Sequence, residues 1–354
     1  PLVHMLGDGR NATTPQVRAA AVLGHLARTG ENKQTIIDCP NAISSLVKML
    51  SSPSVEAHLN AAHAISHLAS HSLAQKMVGD LSGIYPLVAL LRGESIDAAR
   101  HASVALWHME ASADNKGVIV KAGAIPWLVV LLRRTDSPET QEAAAHVLAD
   151  ICRNFSGNKA ITLAHGIPSL VALVKSGTLN SMKHAACALW GLTSGQAGSS
   201  HWDHTLRNLE AVTKSGAVPL LMDMLAAHAR GEVSNEHLGY AVATLNNLAQ
   251  DPSAKAAMLN ISGVEILTPV MQSFKQKDVP GGNDPWLKIQ CAECLWRLGV
   301  DPETGTAVSK LNLDPLSKGK GNKSQRGNKS QRSEGSTRQN SAHSKQPTSR
   351  AKSP

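Results

Sequence analysis

Histidine is the side chain on which chemistry would most readily be built here. His25, His63, His67, His101, His108, His146 and His184 all sit in alanine-rich segments that read as helices. A neutral imidazole donates and accepts hydrogen bonds, ligates metals and takes up a proton close to neutral pH. His63 and His67 are four residues apart, which puts both rings on one helix face at a spacing able to hold zinc. No third ligand lies nearby in sequence, although His25 or His108 could supply one from a neighbouring segment, so metal binding is the weaker reading. Cys291-Ala292-Glu293-Cys294 is a CxxC pair. It lacks the second pair of a zinc ribbon and the preceding strand of a thioredoxin-like site, and reads as two buried helical cysteines. His201-Trp202-Asp203-His204 follows a long loop at the start of a helix and reads as a capped, partly buried loop.

The chain holds no glycine-rich phosphate loop, no HExxH and no G-x-S-x-G. The expectation is a non-enzyme with no catalytic, cofactor-binding or metal-binding residues. The composition agrees with that expectation. Hydrophobic residues make up 42% of 354, enough for a large core, but aromatics only 3%. An apolar content of mostly Ala, Leu, Val and Ile favours close-packed helices over a sandwich or barrel. No run approaches ~20 apolar residues, so no membrane span is expected. Five cysteines without regular spacing point to a reducing compartment: the cytoplasm, with the nucleus as a further location. The opening PLVHML reads like the middle of a unit, so an upstream portion is expected.

Helices must position any such residues, and their boundaries repeat. KAGAIPWLVVLL (121–132) sets a glycine and a proline against an apolar run: one helix stops and another starts. The same corner returns as GIYPLVALL (83–91), HGIPSLVALV (165–174) and GAVPLLMDML (216–225), and more weakly as NAISSLVKML (41–50) and GVEILTPVM (263–271). Marked at Pro1, Ser44, Pro86, Pro126, Pro168, Pro219 and Ile266, the intervals are 43, 42, 40, 42, 51 and 47. A longer amphipathic segment follows each corner, as in VEAHLNAAHAISHLAS (55–70) and QEAAAHVLADICR (141–153). A short helix precedes it, opening with Asn32-Lys33, Gln75-Lys76, Asn115-Lys116 or Asn158-Lys159, where an amide side chain can cap exposed N–H groups. The longer intervals imply insertions at SGQAGSSHWDH (194–204), AAHARGEVS (226–234) and KQKDVPGGNDP (275–285).

Three helices in about 42 residues with Gly-x-x-Pro before the second resembles the armadillo repeat. The resemblance covers residues 1–301, about six full repeats plus a partial first one. It implies an all-α, right-handed superhelical solenoid whose longest helices line a concave groove. In armadillo proteins such as importin-alpha and beta-catenin, an asparagine near the end of the third helix holds the backbone of an extended peptide. Carried onto this chain, that position is His25, His67, His108, Asp150, Gly191, Asn247 and Arg297. Only Asn247 keeps the family residue, and a shift of about one turn also fits around Trp107, Trp190 and Trp296. The family's tryptophan position, four residues earlier, is Ala21, His63, Val104, His146, Cys187, Ala243 and Glu293, so the import-receptor ladder is missing.

The expected groove is therefore His25, His63, His67, His101, His108, His146, Asp150, His184, Asn247 and Arg297. Two readings of its histidines stand: polar residues tolerated on a wet surface, or imidazoles that hold a peptide backbone as asparagine does. The second predicts binding that changes between about pH 5 and 7.5, an acidic ligand gaining at low pH. The function this implies is a non-catalytic scaffold for an extended or helical segment of a protein partner. Its rival is the substrate-recognition part of a U-box ubiquitin ligase whose catalytic module lies upstream. Residues 302–354 lack apolar periodicity, carry the tandem GNKSQRGNKSQR and read as a disordered basic tail. Ten Lys or Arg against one Glu from Ser317 onward leave residues 1–316 nearly neutral. Such a tail would attract polyanions weakly and in a salt-sensitive way, and a third reading makes the chain a nucleic-acid or polyanion adaptor acting through it.

Overall fold

The computed structural model describes residues 1–7, 12–232, 235–273 and 285–303. Twenty α-helices carry the regular structure of these residues, and they belong to one compact unit, Pro1–Leu311. They fall into a rota of short, middle and long. The long helices are Thr14–Leu26, Val55–Leu68, Ile96–Met109, Pro138–Ile151, Leu179–Thr193, Asn235–Leu248 and Pro285–Leu298. Each packs on the next. Short helices follow them, beginning with Gly30–Asp38 and Ser72–Asp80, and middle helices such as Ala42–Met49, Ile84–Leu91 and Ala124–Leu131 turn back to form a layer behind. This is the all-α armadillo solenoid that the sequence periodicity predicts.

Two local devices make the rota. The first is a Ser or Thr ahead of the long helix. The Ser54, Ser95, Ser137 and Thr178 hydroxyls accept from the backbone N–H three residues on, and Thr13 forms a capping box with Gln16. Each such cap contributes about 1 kcal/mol. The second is the corner. Gly123 and Gly216 precede their middle helices at φ +76°, where a side chain would be strained. The other corners make the left-handed turn with Asn41, Ser82, His165 and Ser262 instead. In HGIP the glycine serves a different purpose. A Cβ on Gly166 would lie 2.7 Å from Ile161 Cγ2 and 3.1 Å from the Ile161 carbonyl, so glycine there permits close approach. The prolines fall in the first turn of the middle helices, where no N–H is needed.

Alanine sets the helix spacing. Ala57, Ala61, Ala62 and Ala64 on one long helix, and Ala98, Ala99, Ala102 and Ala105 on the next, are buried against neighbours. Ile65, Leu68, Leu106 and Leu148 fill the core between layers, and truncating one would cost about 2–5 kcal/mol.

Two expectations are corrected. Gln75 and Asn115 lie inside the first turn of their short helices, not ahead of them. Their amides reach backward: Gln75 Nε2 donates to the Ala69 carbonyl at 2.8 Å and Asn115 Nδ2 to the Met109 carbonyl at 3.1 Å, closing the end of the preceding long helix. Their N-caps are His71, whose side chain accepts from Leu73 N–H, and Ser112; the Asn158 helix is capped by Asn154, which accepts from Gly157 N–H. The 51-residue interval is absorbed partly as loop and partly as helix, since Trp202–Lys214 runs 13 residues where its counterparts run nine. The 47-residue interval likewise lengthens a middle helix to Ala217–Ala229. The expected insertion at 275–285 lies outside the described residues except for Pro285, as do 233–234 and the tail from 304 on.

Candidate partner-binding groove

Stacking the long helices brings side chains about one repeat apart into ring contact. His25 and His63 meet with centroids 5.0 Å apart, His63 and His101 at 4.6 Å, and His146 and His184 at 4.5 Å. His67 joins the first group edge-on to His63 at 5.1 Å. His108 stacks on Trp107, and Trp107 faces His146 at 4.7 Å. Seven expected histidines therefore lie together on the face of the long helices. Among the described residues no three His, Cys, Asp or Glu side chains converge in a way that would hold a metal.

Six of these imidazoles, His63, His67, His101, His108, His146 and His184, are kept uncharged, chiefly by burial. Burial pulls His63 down to about 4, and His67, His25 and Arg100 add repulsion. Burial likewise pulls His101 down to about 3, with Arg100 adding to it. Arg100 Nη2 contacts His101 Nε2 at 3.1 Å, and because the guanidinium can only donate, that nitrogen must be unprotonated. Burial also lowers His67 and His108, and takes His184 to about 4. In the free chain the expected response between pH 5 and 7.5 is thus displaced downward for these residues, because they give up water and sit beside Arg28, Lys33 and Arg100.

His146 pairs with Glu110, which the repeat pattern does not single out. Its Nδ1 lies 2.5 Å from Glu110 Oε1, and the Glu110 side chain is only 4% exposed. Burial pushes Glu110 up to about 9 and His146 down to about 3, so the pair shares one proton across the neutral range. Asp150 is bridged by Lys116 from the preceding short helix, Ala113–Lys121, and approached by Arg153 Nε at 3.7 Å.

Asn247 and Arg297 are engaged within the chain. Asn247 Nδ2 donates to Thr193 Oγ1 and Ser194 Oγ, each at 3.3 Å, and Arg297 Nη1 to the Asn246 carbonyl at 2.7 Å. Gly191 occupies the place where earlier repeats carry His25, His67, His108 and Asp150, and a Cβ there would collide with Cys152 Sγ. Cys291 and Cys294 are free, buried thiols, as their helical setting predicts, and burial pushes Cys294 up to about 12.

Sequence reasoning missed the aromatic continuation of this seam. Trp190, Tyr240 and Trp286 meet one another with centroids 5.5–6.0 Å apart. A signal existed: Trp107 and Trp190 are 83 residues apart, two repeats, as are His63 and His146, and His101 and His184. This part of the seam borders a pocket of about 600 Å³, lined by Trp190, Tyr240, Trp286, Phe155, Arg153 and His201 among others. His201, from the 194–204 insertion, stacks on Phe155 with centroids 3.6 Å apart. Beneath it, Asn158 Nδ2 donates to the Gly191 carbonyl while its Oδ1 accepts from Asn208 Nδ2 at 2.9 Å and contacts His204 Nε2 at 3.0 Å.

A family model for the Armadillo/beta-catenin-like repeat matches residues 112–153. Vacuolar protein 8 of Candida albicans is 30% identical over 60% of this chain, which spans 36% of that protein's length. U-box domain-containing protein 10 of Arabidopsis thaliana is 34% identical over 28% of this chain, which spans 16% of it. Among solved structures, the designed armadillo repeat protein YIII(Dq)4CqI shares the fold, with a TM-score of 0.59 and 24% identity over 70% of this chain and all of that one.

Proposed function

We propose that this chain, whose fold is an armadillo repeat solenoid, acts as a non-catalytic scaffold that holds an extended or helical segment of a protein partner along its long helices. The observation that carries this reading is the ring seam. Rings from seven stacked long helices and the Phe155–Leu163 helix present neutral donors, acceptors and flat apolar faces on one surface. Affinity would come from many shallow contacts, so single substitutions weaken binding modestly and combined ones strongly. The test is retention of partners by the full chain, compared with a variant carrying His25, His67, His108 and Asn247 as alanine. Partners lost from the variant support the groove; equal retention counts against it.

The U-box relative favours a second reading. In it this array is the substrate-recognition part of a ligase, and the chain's short span of that relative leaves room for a catalytic module upstream. Ubiquitin transfer by the complete gene product decides it. The basic tail adds weak polyanion contact in this proposal. Removing residues 302–354 should abolish that contact, and salt should weaken it steeply beforehand.

A further inference from the structure

The pocket at the insertion differs from the rest of the seam in three ways. It is concave, at about 600 Å³, within the range of ligand-binding pockets. Its aromatic walls come from four separate elements: Phe155, Trp190, Tyr240 and Trp286, closed by His201. Its charge is one-sided. Among the described residues no carboxylate lines it, whereas the Arg153 guanidinium does, with the side chain 53% exposed. Arg153 hydrogen-bonds the Cys187 side chain and contacts Tyr240 Oη at 3.5 Å and Asp150 at 3.7 Å, both long, and Asp150 is already bridged by Lys116. Lys159 and Arg207, which do not line the pocket, add positive charge beside His204, which does.

An aromatic box next to a fixed cation repels lysine, arginine and their methylated forms, because the favourable ring–cation attraction is opposed by like charge. It suits a flat apolar side chain flanked by carboxylates. The ring enters between Trp190, Tyr240 and Trp286, and a carboxylate reaches the planar fork of Arg153. The vacancy has a local cause. Gly191 stands where preceding repeats place histidine or aspartate, and the Asn158–Asn208–His204 network holds the floor in place.

We propose that this pocket anchors an aromatic residue of an acidic segment of the protein partner, with Arg153 selecting the neighbouring carboxylate. This rests on the groove reading and specifies what one end of the groove accepts. Charge complementarity commits it to an acidic protein segment.

The test uses the full chain and three labelled probe peptides, GSEDFDSG, GSKKFKSG and GSEDADSG, with binding followed by fluorescence anisotropy. GSEDFDSG should bind at least about tenfold more tightly than either control. Arg153→Glu should reverse the preference between the acidic and basic probes. Trp286→Ala should erase the difference between Phe and Ala probes. Both side chains are more than a third exposed, and far-UV circular dichroism verifies folding. Preference for the basic probe, indifference to Phe, or an unchanged preference in Arg153→Glu overturns the proposal. Binding that ignores both pocket substitutions but falls with His63→Ala and His101→Ala overturns it and leaves the groove reading standing. No binding of any probe up to about 1 mM overturns it too, while the partner-retention experiment judges the groove separately. Displacement of GSEDFDSG by oligothymidine would assign the pocket to single strands, and that outcome also refutes the proposal.

Discussion

Replacing Glu110 with glutamine should change how stability depends on pH more than it changes stability at any one pH. The Glu110 carboxyl is almost fully buried, its Oε1 is against His146 Nδ1, and its Oε2 has no hydrogen-bond partner. Burial raises it from 4.5 to about 9, with Asp150 assisting and Lys116 and Arg153 opposing. Burial lowers His146 from 6.5 to about 3. The folded pair therefore keeps one proton from about pH 3 to about pH 9. Unfolded, the same two groups hold two protons below 4.5, one between 4.5 and 6.5, and none above 6.5. A raised acid contributes stability that is whole below its unfolded value and is lost as pH climbs to its folded one. A lowered histidine contributes stability that is present above 6.5 and lost as pH falls. The two slopes cancel between 4.5 and 6.5, and above 6.5 only the loss from Glu110 remains. Each uncompensated proton is worth about 1.4 kcal/mol per pH unit.

Glutamine keeps a donor for His146 Nδ1 but does not titrate. The stability of wild type relative to Glu110→Gln should thus fall by about 2–4 kcal/mol between pH 5.5 and 8.5, the upper figure following from three units of slope. The assay is urea denaturation at pH 5.5, 7.0 and 8.5, followed by both circular dichroism and tryptophan fluorescence. Two probes are needed because stacked repeats can unfold in stages. Parallel midpoints for the two proteins across that range would refute the reasoning, since they would mean a carboxylate that is already charged in the folded chain.

Other consequences are more local. Asn158→Ala removes bonds to Gly191, Asn208 and His204 and leaves buried polar groups unmatched; a loss of about 1–3 kcal/mol is expected in urea midpoint. Gly123→Ala should destabilise by about 1–2 kcal/mol through left-handed strain alone, and Gly123→Asn by less, as Asn41 already adopts that conformation. Thermal midpoints rank the three proteins, and equal losses would contradict the strain argument. Cys152, Cys291 and Cys294 are buried and their thiols are pushed upward, whereas Cys39 is partly exposed. Maleimide at pH 7.5 should label Cys39 first and those three only after denaturation, as mass spectrometry of the digests would show.

Much of the architecture was legible in the sequence because it is written in short-range terms. Helix boundaries follow from Gly, Pro and capping residues within a few positions, and the repeat follows from recurrence at about 42 residues. Alanine on one face of the long segments announced close helix packing. Even so, the corner glycines hid two different duties. Gly123 supplies a positive φ, whereas Gly166 supplies space against Ile161, and only coordinates separate those.

The candidate site divides in the same way. Helical periodicity was enough to place His25, His63, His67, His101, His108, His146 and His184 on one face, because a residue's face depends only on its own helix. What each side chain meets depends on the next helix, about 38 residues away, and on that the sequence was silent. Burial and neighbouring cations hold most of these imidazoles neutral; Glu110 claims His146, Lys116 claims Asp150, and Arg297 is spent on a backbone carbonyl. The pocket walled by Phe155, Trp190, Tyr240 and Trp286 draws on four elements spread over more than 130 residues. Periodicity determined that the long helices would share one face; stacking decided which side chains remain available on it, because desolvation and pairing are properties of the assembled neighbours and not of the segment that carries the residue.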